Sequence, residues 1–300
     1  MNYTINQLRI FLKVVEYSSI TKASEDLFMT QPAVSIQLKK FQDQFAIPLT
    51  EQIGREIHIT DFGYEIADVA RNALNELNEL KFKTKEYQGL VAGKLKISAA
   101  STGKYVIPYF LSGFLDEYDG IDLVLDVTNK TRVLDSLKKN EIDFAIVSVV
   151  PEDLEVEEEL LIENRLYLVG NGKNYKQNKP LIFREQGSAT RQAMEKYFKE
   201  HKNTRTQFEL TSNEAVKQAI IAGLGHSIIP VIGIQNQLEN GSLRIIKKTD
   251  LPLKTDWRVI WLKNKKLSPV AKAYLKFLGR EKENILENDF QWYLDFYKEH

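Results

Sequence analysis

Apolar residues at helical spacing, interrupted by closely set polar stops, run through the first 45 or so residues and dictate a small cluster of short helices. Leu8, Phe11, Leu12 and Val15 fall at i, i+3, i+4 and i+7, which is one buried helix stripe. A second helix is predicted over roughly Thr21 to Phe28, entered through Ser18, Ser19 and Thr21 as candidate caps and packing Ala23 and Leu27 inward. A third begins near Thr30, whose hydroxyl can cap free amides, while Pro32 in the first turn lacks only an N–H that has no partner there. Val34, Leu38, Phe41 and Phe45 then make one apolar face. Two helices joined by a few residues outline a helix-turn-helix, and Ile57 and Ile59, alternating with polar neighbours, suit a short wing strand.

Projecting the third helix at 100° per residue sets Ser35, Ile36, Lys39, Lys40 and Asp43 opposite its buried face. Inserted N-terminus first into a major groove, Gln31, Ser35 and Ile36 would approach base edges, and Lys39 and Lys40 would meet phosphates. A small helical bundle with a solvated face fits the same pattern, and charge does not separate the two. Lys plus Arg equals Asp plus Glu, 41 against 41. A nucleic-acid partner must therefore rest on local arrangement rather than on a basic composition.

From Asp61 to Tyr87 the apolar residues Ile66, Val69, Ala70, Ala73, Leu74, Leu77 and Leu80 recur at three and four, predicting one long helix. The small domain before it is too short to cover that stripe, so a second copy of the chain is the expected cover. The segment Gly89 to Gly93 breaks the helix. Strands and helices then alternate, which predicts an α/β architecture with largely parallel sheets. Strands are expected at Lys94 to Ala100, Ile121 to Val127, Ile142 to Val149, Leu166 to Val169, Thr206 to Leu210, Ser227 to Ile229 and Arg258 to Leu262. Helices are expected at Lys104 to Tyr118, Arg132 to Asn140, Ser188 to His201, after a Thr211/Glu214 capping box, and at Pro269 to Leu278, followed by an aromatic tail.

Enzymatic signatures are sparse. With no cysteine, thiolate nucleophiles and thiolate metal sites are excluded, and the four histidines, His58, His201, His226 and His300, show no ligand spacing. Neither GxSxG nor a Walker loop is present, and Gly223-Leu224-Gly225 ends a helix before a strand, the reverse of a dinucleotide fingerprint. Glu157, Glu158 and Glu159 read as a solvated charge run. The expectation is a non-enzyme with no metal and no cofactor. The polar N-terminus and the lack of any ~18-residue apolar run point to cytoplasmic residence without a membrane partner.

The runs Phe11-Leu12-Lys13-Val14-Val15-Glu16, Ser19-Ile20-Thr21-Lys22-Ala23-Ser24-Glu25-Asp26-Leu27 and Thr30-Gln31-Pro32-Ala33-Val34-Ser35 resemble the winged helix-turn-helix of LysR-type transcriptional regulators. Further along, Gly93-Lys94-Leu95-Lys96-Ile97, Arg184-Glu185-Gln186-Gly187-Ser188-Ala189-Thr190-Arg191 and Gly223-Leu224-Gly225-His226-Ser227-Ile228-Ile229-Pro230 are similar to other segments of the same family. The resemblance implies a bacterial regulator with a DNA-binding domain over 1–60, a linker and dimerisation helix over 61–90, and an effector-binding, periplasmic-binding-protein-like domain of two α/β subdomains over 91–300. The subdomains would be about 94–165 plus 266–300, and about 166–265. The implied partners are promoter DNA, a small effector, a second copy of the chain in a dimer or tetramer, and RNA polymerase, at a nucleoid-associated location. Ser101 to Tyr105 and Arg184 to Arg191 are similar to the subgroup with regulators of carbon fixation and sulfur assimilation.

On this resemblance the DNA-binding residues are Thr30, Gln31, Pro32, Ser35, Ile36, Lys39 and Lys40, with Arg55 at the backbone or minor groove. Departures are present: Leu49-Thr50-Glu51-Gln52-Ile53-Gly54-Arg55 stands where the family shows Leu-Phe-x-Arg and a later arginine, Ile36 replaces a polar or basic residue, and Gln42 a common glutamate. They keep open a metabolite-binding protein with a degenerate DNA-binding head. In the sensor, a cleft between α/β subdomains places ligands at strand carboxyl ends. Ser101, Thr102, Thr128, Asn129, Ser148, Ser188, Thr190 and Arg191 are the candidates there, and hydroxyls, amides and a guanidinium suit an anionic effector.

Overall fold

The computed structural model describes residues 2–54, 56–83, 90–173, 176–201 and 204–299. Arg55 and His300 lie outside the described residues, as do 84–87 of the expected linker helix and Gly89. The chain divides into two units, Met1–Gly89 and Leu90–His300.

In the first unit α1 (Ile5–Tyr17), α2 (Ile20–Asp26) and α3 (Gln31–Gln42) are followed by the hairpin β1 (Thr50–Ile53) and β2 (Glu56–Ile59) and by α4 (Asp61–Glu79). Each of the first three helices starts at a hydroxyl. Thr4 and Gln7 form a reciprocal capping box on α1, Ser19 Oγ accepts from Lys22 N at 3.3 Å, and Thr30 Oγ1 accepts from Ala33 N at 3.4 Å. Of the three candidate caps for α2 only Ser19 serves; Ser18 instead ends α1 in the left-handed region. Ile10, Phe11, Val14, Ala23, Val34, Phe41 and Leu49 form the shared core, with Phe41 in ring contact with Tyr3, Phe11 and Phe45. At about 1.5–3 kcal/mol for each large apolar side chain buried, this cluster is what holds so small a domain. Phe45 packs from beyond the end of α3, not from within it. Gly63 is required at the start of α4, since an added Cβ would stand 2.1 Å from the carbonyl oxygen of Leu49. Instead of running on unbroken toward Tyr87, α4 gives way to a tight 3-10 turn at Leu80–Phe82.

The second unit contains β3 (Ala92–Ala100), α5 (Ile107–Glu117), β4 (Gly120–Thr128), α6 (Lys130–Lys138), β5 (Phe144–Val147), β6 (Val156–Asn171), β7 (Leu181–Arg184), α7 (Ala189–Glu200), β8 (Gln207–Leu210), α8 (Asn213–Ile221), β9 (Ser227–Pro230), α9 (Gln235–Glu239), β10 (Leu243–Ile245), β11 (Leu253–Leu262), α10 (Pro269–Asp289) and α11 (Gln291–Glu299). A seven-stranded sheet has the order β10-β6-β11-β5-β3-β4, with β9 also on β6, and β7 pairs with β8 separately.

The sheet is mixed, not largely parallel. β3 runs parallel to β4 and β5, and β7 to β8, but β6 and β11 pair antiparallel through Trp257↔Ile162 and Leu253↔Leu166. These long strands are the reason: one carries the chain out of the first α/β subdomain into the second and the other brings it back, so they must run in opposite directions. A register irregularity lies at their midpoint, between Trp257 and Arg258.

Several sequence expectations are corrected here. Glu157, Glu158 and Glu159 are a solvent-facing run, as expected, but they lie on the first half of β6 and are paired there: Trp261 Nε1 donates to Glu157 Oε2 at 2.9 Å, Arg258 pairs with Glu158 and Lys282 Nζ lies 2.5 Å from Glu159. The cap of α8 is Ser212, accepting from Ala215 N at 3.1 Å, so the expected Thr211/Glu214 box does not form and a single side-chain cap one residue later takes its place. The last predicted helix continues to Asp289, and the aromatic tail forms α11, burying Phe290 and Tyr293. Tyr293 Oη accepts from Arg165 N at 3.1 Å, so the tail packs on a crossing strand.

Candidate functional site

The two units carry separate sites. In the first, the outer face of α3 is solvent-exposed at Gln31, Pro32, Ser35, Ile36, Lys39 and Lys40, while Val34, Leu38 and Phe41 are buried beneath it. Thr30 is exposed at the mouth of the helix, where its hydroxyl caps Ala33 N at the positive end of the helix dipole. Such a face offers amide and hydroxyl groups to base edges first and ammonium groups a turn later. Two departures from the family pattern meet each other: Gln42 Oε1 accepts from Thr50 N at 2.9 Å and from Thr50 Oγ1 at 2.7 Å. They tie the end of α3 to the first wing strand, so these substitutions keep the wing seated.

In the second unit, the parallel register that ends at Ala100↔Thr128 and Ala99↔Ile146 brings Ser101, Asn129 and Ser148 to the same edge of the sheet. Thr102 is buried and opens a 3-10 turn over Gly103–Tyr105 without a side-chain cap bond. Asn129 caps α6, its Oδ1 accepting from Arg132 N at 3.1 Å. Ser188, 4% exposed, stands at the cap position of α7, where its carbonyl accepts from Gln192 N at 3.1 Å but its hydroxyl makes no cap bond. Thr190 is buried in the first turn of α7.

Two subdomains meet through these elements. Ser101, at the end of β3, receives Arg184 Nη2 at 3.2 Å and Asn213 Nδ2 at 3.3 Å, and Arg184 Nη1 also donates to Asn213 Oδ1. Arg184 ends β7 and Asn213 begins α8, so one hydroxyl of the first subdomain joins a strand end and a helix start of the second. Glu185 holds the same guanidinium in a fork, Nε to Oε2 and Nη2 to Oε1, both at 2.7 Å. Gly187, at φ +83°, brings the loop before α7 against α6, close enough that a Cβ there would be 2.7 Å from Thr131 Oγ1.

The sequence reasoning missed Arg184, Glu185 and Asn213 as site residues because it placed no strand at Leu181–Arg184. The signal was available: three apolar residues, Leu181, Ile182 and Phe183, ending in an arginine. Arg191, the expected guanidinium, is committed elsewhere. It donates to the Arg184 carbonyl at 2.7 Å, to Glu195 at 2.6 Å and to Glu209. Burial pulls its pKa down, but the two carboxylates outweigh this and hold it above the usual arginine value. Among the described residues no group of three or more His, Asp or Glu side chains is placed to hold a metal ion, and no helix is long and apolar enough to cross a membrane.

Comparison with known proteins assigns both units. Residues 5–64 match the model of the bacterial regulatory helix-turn-helix proteins of the lysR family, and 88–283 match the LysR substrate binding domain. The HTH-type transcriptional activator CmpR of Synechocystis sp. is 34% identical over 296 residues, covering 95% of this chain and 97% of that protein. The RuBisCO operon transcriptional regulator of Allochromatium vinosum is 33% identical over 293 residues, with 94% and 97% covered. Among solved structures, the regulatory domain of Synechocystis CcmR in complex with 2-PG is 32% identical at a TM-score of 0.59, covering 64% of this chain and 98% of that one. A helix-turn-helix head, two α/β subdomains joined by crossing strands and full-length similarity to such regulators lead to one conclusion: this chain belongs to the LysR family of transcriptional regulators, with a DNA-binding helix-turn-helix and an effector-binding domain.

Proposed function

We propose that the chain reads a specific duplex through Gln31, Pro32, Ser35 and Lys39, with Thr30, Ile36 and Lys40 beside them and Arg55 at the adjacent backbone or minor groove. We further propose that a small anion in the sensor cleft controls this binding. The functional division is 1–60 for DNA, 61–90 for association of copies and 91–300 for the effector, and the working form is a cytoplasmic, nucleoid-associated dimer or tetramer that contacts RNA polymerase. The exposed apolar side chains Val69 and Leu80 on and just beyond α4 support the association surface.

One observation carries the effector reading: Arg184 is 3% exposed, yet its guanidinium reaches Ser101 of one subdomain and Asn213 of the other. A buried guanidinium that meets a hydroxyl of one subdomain and an amide of the other suits a carboxylate or phosphate group. Ser101, Thr102, Thr128, Asn129, Ser148, Ser188 and Thr190 line the approach, with Arg184 in the role expected of Arg191. The incoming anion must compete with the Glu185 carboxylate for Arg184, whose bond to Ser101 joins the subdomains. Control of DNA binding then requires only that the anion favour one closure over the other.

The test has two parts. Genomic fragments are enriched on the full chain at about 0.15 M salt, where surface charges are screened as in the cell; discrete sites are expected, and uniform retention would refute sequence-specific reading. Calorimetric titration with 2-PG, inorganic phosphate and sulfate then tests the cleft. Binding of at least one of them, lost in Ser101→Ala/Asn213→Ala, is expected, and an unchanged affinity in that variant would refute the assignment.

A further inference from the structure

We propose that Phe28, which turns the chain from α2 into α3, is a DNA-contacting residue that contributes sequence selectivity; the inference rests on the reading of α3 as the groove-reading helix. Phe28 is 97% exposed and stands at φ +53°. Its amide donates to the Glu25 carbonyl at 3.2 Å and that of Met29 to the Ser24 carbonyl at 2.9 Å, so the backbone at this corner is closed by main-chain bonds that do not involve the ring. For folding, a phenylalanine is adverse here on two separate grounds. The left-handed region crowds its Cβ against the following carbonyl, a strain that glycine lacks and asparagine tolerates. The exposed ring contributes no burial in return.

Other positions show what the fold itself asks for. The remaining non-glycine residues at positive φ among the described residues are Ser18, Asn140 and Asp250, all small and polar. Phe28 departs from that pattern and is also the most exposed of the large hydrophobic side chains. Two costs that the fold does not require fall on one residue, two positions before the Thr30 cap.

The occupant is identified by what adjoins it. Gln31, Pro32, Ser35 and Ile36 are exposed on the same end of α3, and Lys39 and Lys40 are the only cations on that helix. Phe28 stands two residues before the Thr30 cap, next in the chain to a face whose exposed residues include the apolar Pro32 and Ile36 and whose cationic component is small. Apolar side chains discriminate bases through the thymine methyl group, and a ring lying along the groove edge also packs on deoxyribose. An apolar contact of this kind leaves the count of neutralised phosphates unchanged.

A duplex library with a randomised 30-base-pair centre is selected on the full-length protein, and anisotropy titrations follow on the recovered duplex and on an unselected one. Phe28→Asn is expected to weaken the selected duplex about tenfold, equivalent to about 1.4 kcal/mol. Its weaker binding to the unselected duplex, the slope of log affinity against log salt and the melting temperature should all stay within error or, for melting, rise. Phe28→Tyr, which keeps the ring, should retain most of the affinity. Equal binding by Phe28→Asn and wild type overturns the proposal, including the case in which only the oligomeric state changes; a fall in melting temperature that accounts for the lost binding overturns it too. If Ser35→Ala weakens the selected duplex while Phe28→Asn does not, the role of Phe28 fails and that of α3 stands. If the wild-type protein recovers no preferred sequence, both fail together.

Discussion

Replacing Gly187 by alanine should loosen the sensor where the loop before α7 lies against the first turn of α6. Gly187 has φ +83°, and an added Cβ would lie 2.7 Å from Thr131 Oγ1 and 3.5 Å from Thr131 Cβ. Two effects follow. The backbone term is the left-handed penalty of an L-residue, about 1–2 kcal/mol. The crowding term acts between the loop before α7 and the first turn of α6, and the structure relieves it by swinging the Thr131 hydroxyl aside or by widening the cleft. Taking the backbone term alone, the sensor should melt about 2–8 °C lower, at about 2–4 °C per kcal/mol for a domain of this size. Scanning fluorimetry on the full chain measures that shift, and calorimetry with 2-PG measures the effect on the cleft. Adding Thr131→Ala removes the crowding partner and should recover effector affinity without recovering the melting temperature. Unchanged melting and unchanged affinity in Gly187→Ala would refute both the need for a glycine and the closeness of the two helix starts.

Gly63→Ala drives a Cβ to 2.1 Å from the Leu49 carbonyl oxygen and 2.9 Å from Ile59 Cγ2; because a backbone atom cannot swing aside, a loss of about 3 kcal/mol or more in the DNA-binding head is expected, read by its thermal transition and by lost DNA binding. Glu185→Gln removes the carboxylate that competes for Arg184 and should tighten anion binding about tenfold by calorimetry, whereas weaker binding would show that Glu185 assists the ligand. Burial, with the Arg205 and Lys179 cations nearby, pulls the His226 pKa from 6.5 down to about 4, so the folded state takes up fewer protons than the unfolded one between those values. Stability should therefore be intact above pH 6.5 and fall as the pH drops toward 4, and His226→Gln should flatten that slope in acid melting curves. Val69→Asp with Leu80→Asp places charge on exposed apolar positions of the linker region and should give a monomer by light scattering, where an unchanged mass would exclude this surface from assembly.

How far the site could be read from the sequence depended on how local its signals were. Thr30, Pro32 and the Val34, Leu38 and Phe41 stripe identify α3 because capping, proline placement and helical period all act within one or two turns. The identity of the exposed residues Gln31, Ser35, Ile36, Lys39 and Lys40 followed from the same periodicity. Arg191 shows the opposite case. Its position at a predicted helix start suggested an anion ligand, but Glu209, from a different strand, engages it, and nothing near residue 191 in the chain reports that pairing. Arg184 was visible as an arginine at the end of an apolar run, yet its meaning required knowing that β7 ends opposite Ser101, 83 residues earlier.

By itself the sequence determined the kind of elements present and the family pattern they follow: a tight three-helix head, a helix from Asp61 after it and an alternating α/β sensor. These depend on periodicity and capping, interactions that span a few residues and are written in order along the chain. Tertiary structure alone decided which polar groups share a site. The crossing strands β6 and β11 bring the ends of β3 and β7 together and set Gly187 against Thr131 because the subdomains face each other, and in the separate DNA-binding unit the packing of the wing on α3 pairs Gln42 with Thr50. Contacts of this kind join residues far apart in the chain, and their partners are chosen by strand register and helix packing, which no short stretch of residues encodes.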